Sequence, residues 1–183
     1  MRVMGIAGSL REGSLNRALL AAAVELAPGG MTIVPYEGLA DIPMYNGDID
    51  TDELRPASVV DLKRRIAEAD ALLILSPEYN YSIPGVLKNA IDWASRPGYK
   101  SVLGGKPAAI GGASGGGIGT ARMQVHLREV LYATLVRVMP HPGLLVGVAQ
   151  TKFADGKLTD ESTRQFLTTF LADFQKYAAG QQG

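Results

Sequence analysis

The feature that most limits the possible folds is an unbroken apolar run, ALLIL at residues 71–75, followed by SPEYNYSIPG at residues 76–85. The run has no polar alternation, which predicts a strand buried on both faces of a sheet. Pro77 interrupts regular structure, and Pro84 suits the first turn of a helix over residues 84–95. A loop between the end of a parallel strand and a helix is where open α/β sheets bind ligands. Residues 76–85 are therefore the first candidate for a binding site.

The rest of the chain repeats this order of strand, loop and helix. The other predicted strands lie at residues 3–7, 31–36, 107–110 and 136–139, the last with a candidate continuation at 144–148. The other predicted helices lie at residues 15–26, 56–69 and 121–135, with a last helix that begins near Asp160 and buries Phe166, Phe170 and Phe174. This alternation predicts one α/β domain over residues 1–183, with a five-stranded parallel sheet between two layers of helices.

Three loops at the ends of predicted strands are rich in glycine, serine or proline. They are loop one (residues 8–16), loop two (residues 76–85) and loop three (residues 111–119), after the first, third and fourth strands. This distribution favours the flavodoxin-like strand order 2-1-3-4-5, in which those three strands are neighbours. The three loops should then converge on one crevice.

Composition excludes several classes of function. The formal net charge is zero, which argues against nucleic-acid or membrane partners, and the apolar runs fall short of the roughly 20 residues of a membrane span. There is no cysteine, so thiol chemistry and cysteine metal sites are excluded. With only His126 and His141, a histidine metal site is not expected, and both are interpreted as ordinary residues. The start lacks a signal-peptide layout, which predicts a cytoplasmic protein.

Loop one has the chemistry of a phosphate site. It offers the side chains of Ser9, Ser14 and Asn16, one cation in Arg11, and the free N–H groups of a helix start. It is not a P-loop, because Ser14 and Leu15 stand where that motif has Lys and Ser or Thr. The alternative is that Ser14 only caps the helix and Arg11 is solvated.

Loops two and three could hold a flat ring. In loop two, the aromatic and amide side chains of residues 79–81 could contact a heterocycle, although the tyrosines could instead stack on the core. Glu78 is a general base only in principle, and Trp93 is interpreted as core or interface. Loop three has six glycines in nine residues, which permits close approach of its backbone to a ligand. The alternative is a flexible glycine turn without a ligand.

Two of these segments, GSLREGSLN at residues 8–16 and SPEYNYSIPGVLKNAIDW at residues 76–93, closely resemble the NADPH-dependent FMN reductase family. The segments DIPMYN at residues 41–46 and GGGIGTAR at residues 115–122 are also similar to that family. The resemblance extends from Val3 to about Met139. The family includes chromate-, quinone- and azo-reducing flavoproteins.

The resemblance implies an FMN site in the three loops. By position, the residues that would hold the phosphate are Ser9, Arg11, Ser14, Leu15 and Asn16. Those that would line the flavin ring are Pro77, Glu78, Tyr79 and Asn80, with Ser114, Gly115, Gly116 and Gly117 closing its other edge. The resemblance also implies a homodimer or a homotetramer, with Arg122 at subunit contacts in some relatives. Val125 stands where those relatives have an aromatic residue, which favours the dimer.

The family implies a two-step oxidoreductase. NADPH, or NADH, would give a hydride to N5 of bound FMN, and a small acceptor such as a quinone, free flavin, azo compound or chromate would then take the electrons. No acid–base dyad is required for this reaction, and the loops contain none. The alternatives are a non-enzymatic flavodoxin-type electron carrier and a partner-binding module on the same fold. The lack of strong acidity and the glycines of loop three argue against the carrier.

Overall fold

The computed structural model of the chain describes residues 1–140 and 143–181. Within these residues the strands are β1 (Arg2–Ala7), β2 (Thr32–Tyr36), β3 (Ala71–Leu75), β4 (Pro107–Ala113), β5 (Arg137–Val138), β6 (Leu144–Val146), β7 (Phe153–Ala154) and β8 (Lys157–Leu158). The α-helices are α1 (Leu15–Glu25), α2 (Ala57–Glu68), α3 (Gly85–Ala94), α4 (Ala121–Ala133) and α5 (Glu161–Ala179). Short 3₁₀ helices lie at Gly38–Asp41, Gly47–Ile49 and Ala149–Thr151. Among the described helices, none is long and apolar enough to cross a membrane.

The main sheet is parallel and has the order β2-β1-β3-β4-β5, which confirms the predicted flavodoxin-like fold. The fifth position is shared by two short strands. β5 pairs with the beginning of β4, and β6 pairs with its end. Gly111 pairs with Leu75 of β3 and with Leu144 of β6, so β6 lies on the same side of β4 as β5. The candidate continuation of the fifth strand is therefore a separate strand at the same edge.

Two hydrophobic layers cover the sheet. Alternate residues of β3 point to opposite layers: Leu73 and Leu75 pack with α1 and α5, whereas Leu72 and Ile74 pack with α2, α3 and α4. All five residues of β3 are buried, as its unbroken apolar sequence predicts. Trp93 is fully buried in the second layer, which confirms its interpretation as a core residue. The carboxyl ends of β1, β3 and β4 remain neighbours at one edge of the sheet, where the three loops begin.

The structure differs from the predictions in three respects. The fourth strand is longer than predicted, because Gly111, Gly112 and Ala113 belong to β4 and pair with β6, so loop three begins at Ser114. Phe166 is 42% exposed, since its position on α5 faces away from the sheet that buries Phe170 and Phe174. The antiparallel β7–β8 hairpin was not predicted, because two-residue strands leave no pattern in the sequence. His141 lies outside the described residues.

Candidate functional site

Loop one brings two hydroxyl groups and a helix start together. Ser14 is the N-cap of α1, and its hydroxyl oxygen accepts a hydrogen bond from the backbone N–H of Arg17 at 3.3 Å. Ser9 is also buried, and its oxygen lies 3.4 Å from the backbone nitrogen of Arg11. The hydroxyl hydrogens of both serines remain donors, and the first N–H groups of a helix have no partner within it. Arg11 is exposed at the tip of the loop.

Loop two contains a tight two-residue hairpin. Tyr79 and Ser82 exchange two backbone hydrogen bonds of 3.0 and 3.1 Å, which enclose Asn80 and Tyr81. Both enclosed residues have positive φ, 50° and 66°, as in the mirror-image turns of β-hairpins. Asparagine tolerates this conformation, but it is uncommon for an aromatic residue. The hairpin places both tyrosine rings in solvent, 50% and 64% exposed, so the alternative that they stack on the core is wrong.

Loop three is held at its start by the end of β6 and by the 3₁₀ helix that follows it. The Ser114 N–H donates to the Val146 carbonyl at 2.9 Å, and the Ser114 carbonyl accepts from Ala149 at 3.0 Å. The Ser114 hydroxyl accepts from the N–H of Gly116 at 3.1 Å. The three glycines at residues 115–117 are exposed. This loop is therefore a hydrogen-bonded turn that presents bare backbone.

Side chains connect loop one to loop two and to the end of β4. Loops one and two meet where the hydroxyl oxygens of Ser9 and Tyr79 lie 3.4 Å apart. Loop one reaches Ala113, the last residue of β4 before loop three, through Asn16. Its Nδ2 donates to the Ala113 carbonyl at 2.9 Å, and its Oδ1 accepts from the Ala113 N–H at 2.8 Å. Asn16 is only 2% exposed, so its amide is a tie between loops rather than an exposed phosphate contact.

Glu78 connects loop two to the helix after loop three. One carboxylate oxygen accepts hydrogen bonds from the backbone N–H groups of Arg122 and Met123 at 3.0 and 3.1 Å. The other oxygen lies 3.6 Å from the Arg122 guanidinium. Loops one and two are thus in contact with each other and with the two elements that flank loop three, β4 and α4, so the three loops lie side by side at one edge of the sheet.

A groove of about 790 Å³ runs beside loop one. Among the described residues, its walls come from loop one and α1, from the end of β2 and Gly38–Asp41, and from the β7–β8 hairpin. Burial, and next the Asp61 carboxylate, raise the pKa of the Tyr36 phenol in this wall, so Tyr36 stays protonated at neutral pH. The volume suits a small-molecule ligand. The groove includes Ser9 and Ser14 at the start of α1, and the described residues that line it come from outside loops two and three.

Residues beside the hairpin were not singled out as site residues by the sequence. The Arg122 guanidinium lies over the ring of Tyr81, 4.2 Å from its centroid, and Nδ1 of His126 lies 3.0 Å from the Ser82 hydroxyl. Both side chains project from the first two turns of α4. The i, i+4 spacing of Arg122 and His126 could have indicated that they share a helix face, but not which loop that face meets.

The donor set fits FMN and does not fit a metal. Hydroxyls, N–H groups and two arginines, Arg11 and Arg17, lie at the start of α1, which suits a phosphate dianion. The exposed backbone of loops two and three suits the polar edge of a flat ring. In the described part of the chain, no three His, Asp or Glu side chains lie close enough to hold a metal ion. The site is thus built for an anionic, planar ligand.

Comparisons with known proteins agree with this geometry. The family model described as NADPH-dependent FMN reductase matches residues 1–151. An NAD(P)H-dependent FMN reductase of Pseudomonas aeruginosa is 45% identical over 100% of this chain and 98% of its own length. A 2-hydroxy-1,4-benzoquinone reductase of Burkholderia sp is 43% identical over 98% of this chain and 95% of its own. The solved structure of the flavoenzyme NAD(P)H:(acceptor) oxidoreductase FerB from Paracoccus denitrificans is 40% identical, with a TM-score of 0.88 over 98% of both chains.

Proposed function

The chain belongs to the NADPH-dependent FMN reductase family, and from that premise we propose that it oxidises NAD(P)H and reduces a quinone at an FMN site formed by loops one, two and three. It is an oxidoreductase that uses FMN and NAD(P)H. The observation that supports the proposed site is that Ser9 joins loop one to loop two, while Asn16 and Glu78 join these loops to β4 and α4 on either side of loop three. Bound FMN would supply the hydride acceptor, because no side chain of the protein can take a hydride.

We assign the phosphate end to loop one. The hydroxyls of Ser9 and Ser14 and the N–H groups at Leu15 and the start of α1 would donate to the phosphate, and Arg11 would neutralise its charge. Asn16 would act by holding this loop against Ala113.

We assign the ring to loops two and three. Residues 77–80 would line one side, and residues 114–117 would close the other edge with backbone N–H groups. Fixed N–H dipoles beside a ring that gains negative charge favour its reduction. The protein would therefore bind and orient the FMN ring and stabilise its negative charge, and no protein acid or base is required.

A quinone is the acceptor that we favour, because one relative is named for a quinone and a small planar acceptor can stack on an exposed ring face. Azo compounds, chromate and free flavin are further proposals for the same face. The rival carrier and partner-module functions are less well supported, since relatives at 43% and 45% identity over almost the whole chain are named as reductases.

One anaerobic experiment tests the proposed function. Added NADPH should bleach the FMN-loaded protein within about a second, and added benzoquinone should restore the flavin colour. A carrier would keep its oxidised flavin spectrum under NADPH. Protein-free FMN with NADPH gives the background rate, and NADH in a parallel sample measures the donor preference. No bleaching above that background would contradict the reductase function.

Arg11→Ala should weaken FMN binding about tenfold, because a charge-assisted hydrogen bond to the phosphate would be lost. Titration of flavin-free protein with FMN, followed by quenching of flavin fluorescence, measures the change. Arg2→Ala is the matched control, since Arg2 is also exposed but lies at the opposite end of β1. Equal FMN affinity in the Arg11 and Arg2 variants would remove Arg11 from the phosphate site.

We further propose that the chain is a single domain that assembles as a homodimer, with a homotetramer as the alternative. Val125 and Tyr132, 63% and 81% exposed on α4, support a contact between copies on that helix. Light scattering of the purified protein would distinguish the two states.

A further inference from the structure

The N-terminus of α4 is capped by a residue that is distant in sequence. Thr120, the N-cap residue of this 13-residue helix, makes no capping hydrogen bond with its own side chain. Instead, its hydroxyl accepts from Gln124 at 3.2 Å. The N–H groups of Arg122 and Met123, at the second and third helical positions, donate to Glu78. These are the two positions that a capping side chain normally satisfies.

The Glu78 side chain is largely buried and lies against the start of α4. The side chain is only 11% exposed, and it meets the positive end of the α4 dipole and the Arg122 guanidinium. Both carboxylate oxygens have partners on α4. A group engaged in this way is suited to hold two segments together, whereas a general base would need an oxygen directed at the reacting atoms.

The hairpin of loop two is held against the same helix at two further points. Tyr81 packs beneath Arg122, and Ser82 lies within hydrogen-bond distance of His126. Tyr81 also has the left-handed backbone conformation, which a bulky residue keeps only when its surroundings hold it. Loop two therefore depends on α4 for its shape, and Glu78 makes the most buried of the three contacts.

We propose that Glu78 is a positioning residue that fixes loop two against the start of α4 and so sets the spacing between loops two and three. This inference rests on the proposed FMN site, since those two loops are its two walls. A flat ring needs both walls at a fixed separation. Loss of the carboxylate would release loop two. The free energy of FMN binding would then include the cost of ordering that loop, so the affinity would fall.

Three variants test this role by FMN titration. Glu78→Ala should weaken FMN binding about tenfold, because two helix N–H groups lose their acceptor and loop two loses its tie. Glu78→Gln keeps an oxygen that can accept from both N–H groups, so it should restore the affinity to within about threefold of the wild type. Glu129→Ala, at an exposed position farther along α4, is the matched control and should bind FMN as the wild type does.

Hydrogen exchange of the flavin-free proteins gives a readout that does not depend on the cofactor. In Glu78→Ala the amides of Arg122 and Met123 should exchange at least about tenfold faster than in the wild type, whereas in Glu78→Gln they should stay protected. Equal protection of these amides in the alanine variant and the wild type would overturn the proposal, as would wild-type FMN affinity in Glu78→Ala. If the wild type itself fails to bind FMN while Glu78→Ala loses amide protection, the FMN site is wrong and the tie between loop two and α4 stands.

Discussion

Replacing Gly112 by alanine should destabilise the folded protein by about 3 kcal/mol or more. A Cβ at this position in β4 would lie 2.1 Å from the Ser76 carbonyl oxygen and 2.5 Å from the Thr120 hydroxyl. Ser76 is hydrogen-bonded to Gly111 through its backbone, and Thr120 is fully buried, so neither can move aside by rotating a side chain on the surface. The backbone of loop two and the start of α4 would both have to shift. The melting temperature should fall by about 6–12 °C.

Gly117→Ala is the matched control for this prediction. It lies five residues later, and a Cβ there would have no atom within 4 Å. Thermal unfolding of flavin-free protein should therefore give the wild-type melting temperature for Gly117→Ala, within about 0.5 kcal/mol of stability. A Gly112→Ala protein that melts with the control would show that β4 can move away from loop two without cost. The two variants therefore distinguish a glycine whose neighbours leave no room for a side chain from one that only lies in a glycine-rich segment.

The sequence predicted the sheet well because its central strands, β1, β3 and β4, are buried on both faces. The first and last residues of β3 could be predicted from the sequence. The apolar run at residues 71–75 is bounded by Asp70 and by Ser76-Pro77, and the structure has β3 at Ala71–Leu75. The strand order followed from the positions of the polar loops, since parallel neighbours end at the same edge. Burial on both faces leaves a signal in every residue of a strand, and that signal is local.

The end of β4 was missed because glycine occurs both in flexible turns and at crowded positions within strands. In residues 111–119 the run of glycines was interpreted as one loop, yet Gly111 and Gly112 are strand residues. They are glycines because Leu144, Ser76 and Thr120 occupy the space of a side chain, not because the backbone turns there. Only the tertiary neighbours distinguish a glycine that is crowded from one that is flexible.

The side-chain ties between the loops were also beyond prediction from the sequence. Asn16 and Ala113 are 97 residues apart, and Glu78 and Arg122 are 44 apart. The motifs predicted that these segments meet, but the partner of a polar side chain depends on distances of a few tenths of an ångström. Asn16 and Glu78 thus remain in the candidate site as residues that hold its walls, whereas a direct contact of either with FMN stays a prediction.

Asn16→Ala should lower both the stability of the fold and its affinity for FMN. The substitution leaves the buried N–H and carbonyl of Ala113 without their partner, at a cost of about 2–4 kcal/mol in the free energy of unfolding. It also releases loop one from the residue that precedes Ser114, so the phosphate and ring parts of the site lose their fixed separation. FMN affinity should fall by about tenfold or more. Chemical denaturation and FMN titration measure the two effects on one preparation.

Asn89→Ala is the matched control for Asn16→Ala. Asn89 is also buried, accepts from the Tyr45 N–H at 2.8 Å and donates to the Pro43 carbonyl at 2.9 Å, so its amide makes the same kind of double tie. It holds a different segment, residues 43–45, against α3. Both alanine variants should therefore lose about 2–4 kcal/mol of stability, but only Asn16→Ala should lose FMN affinity. Equal losses of affinity would mean that FMN binding follows global stability. Full affinity in Asn16→Ala would mean that the phosphate and ring parts of the site do not depend on each other.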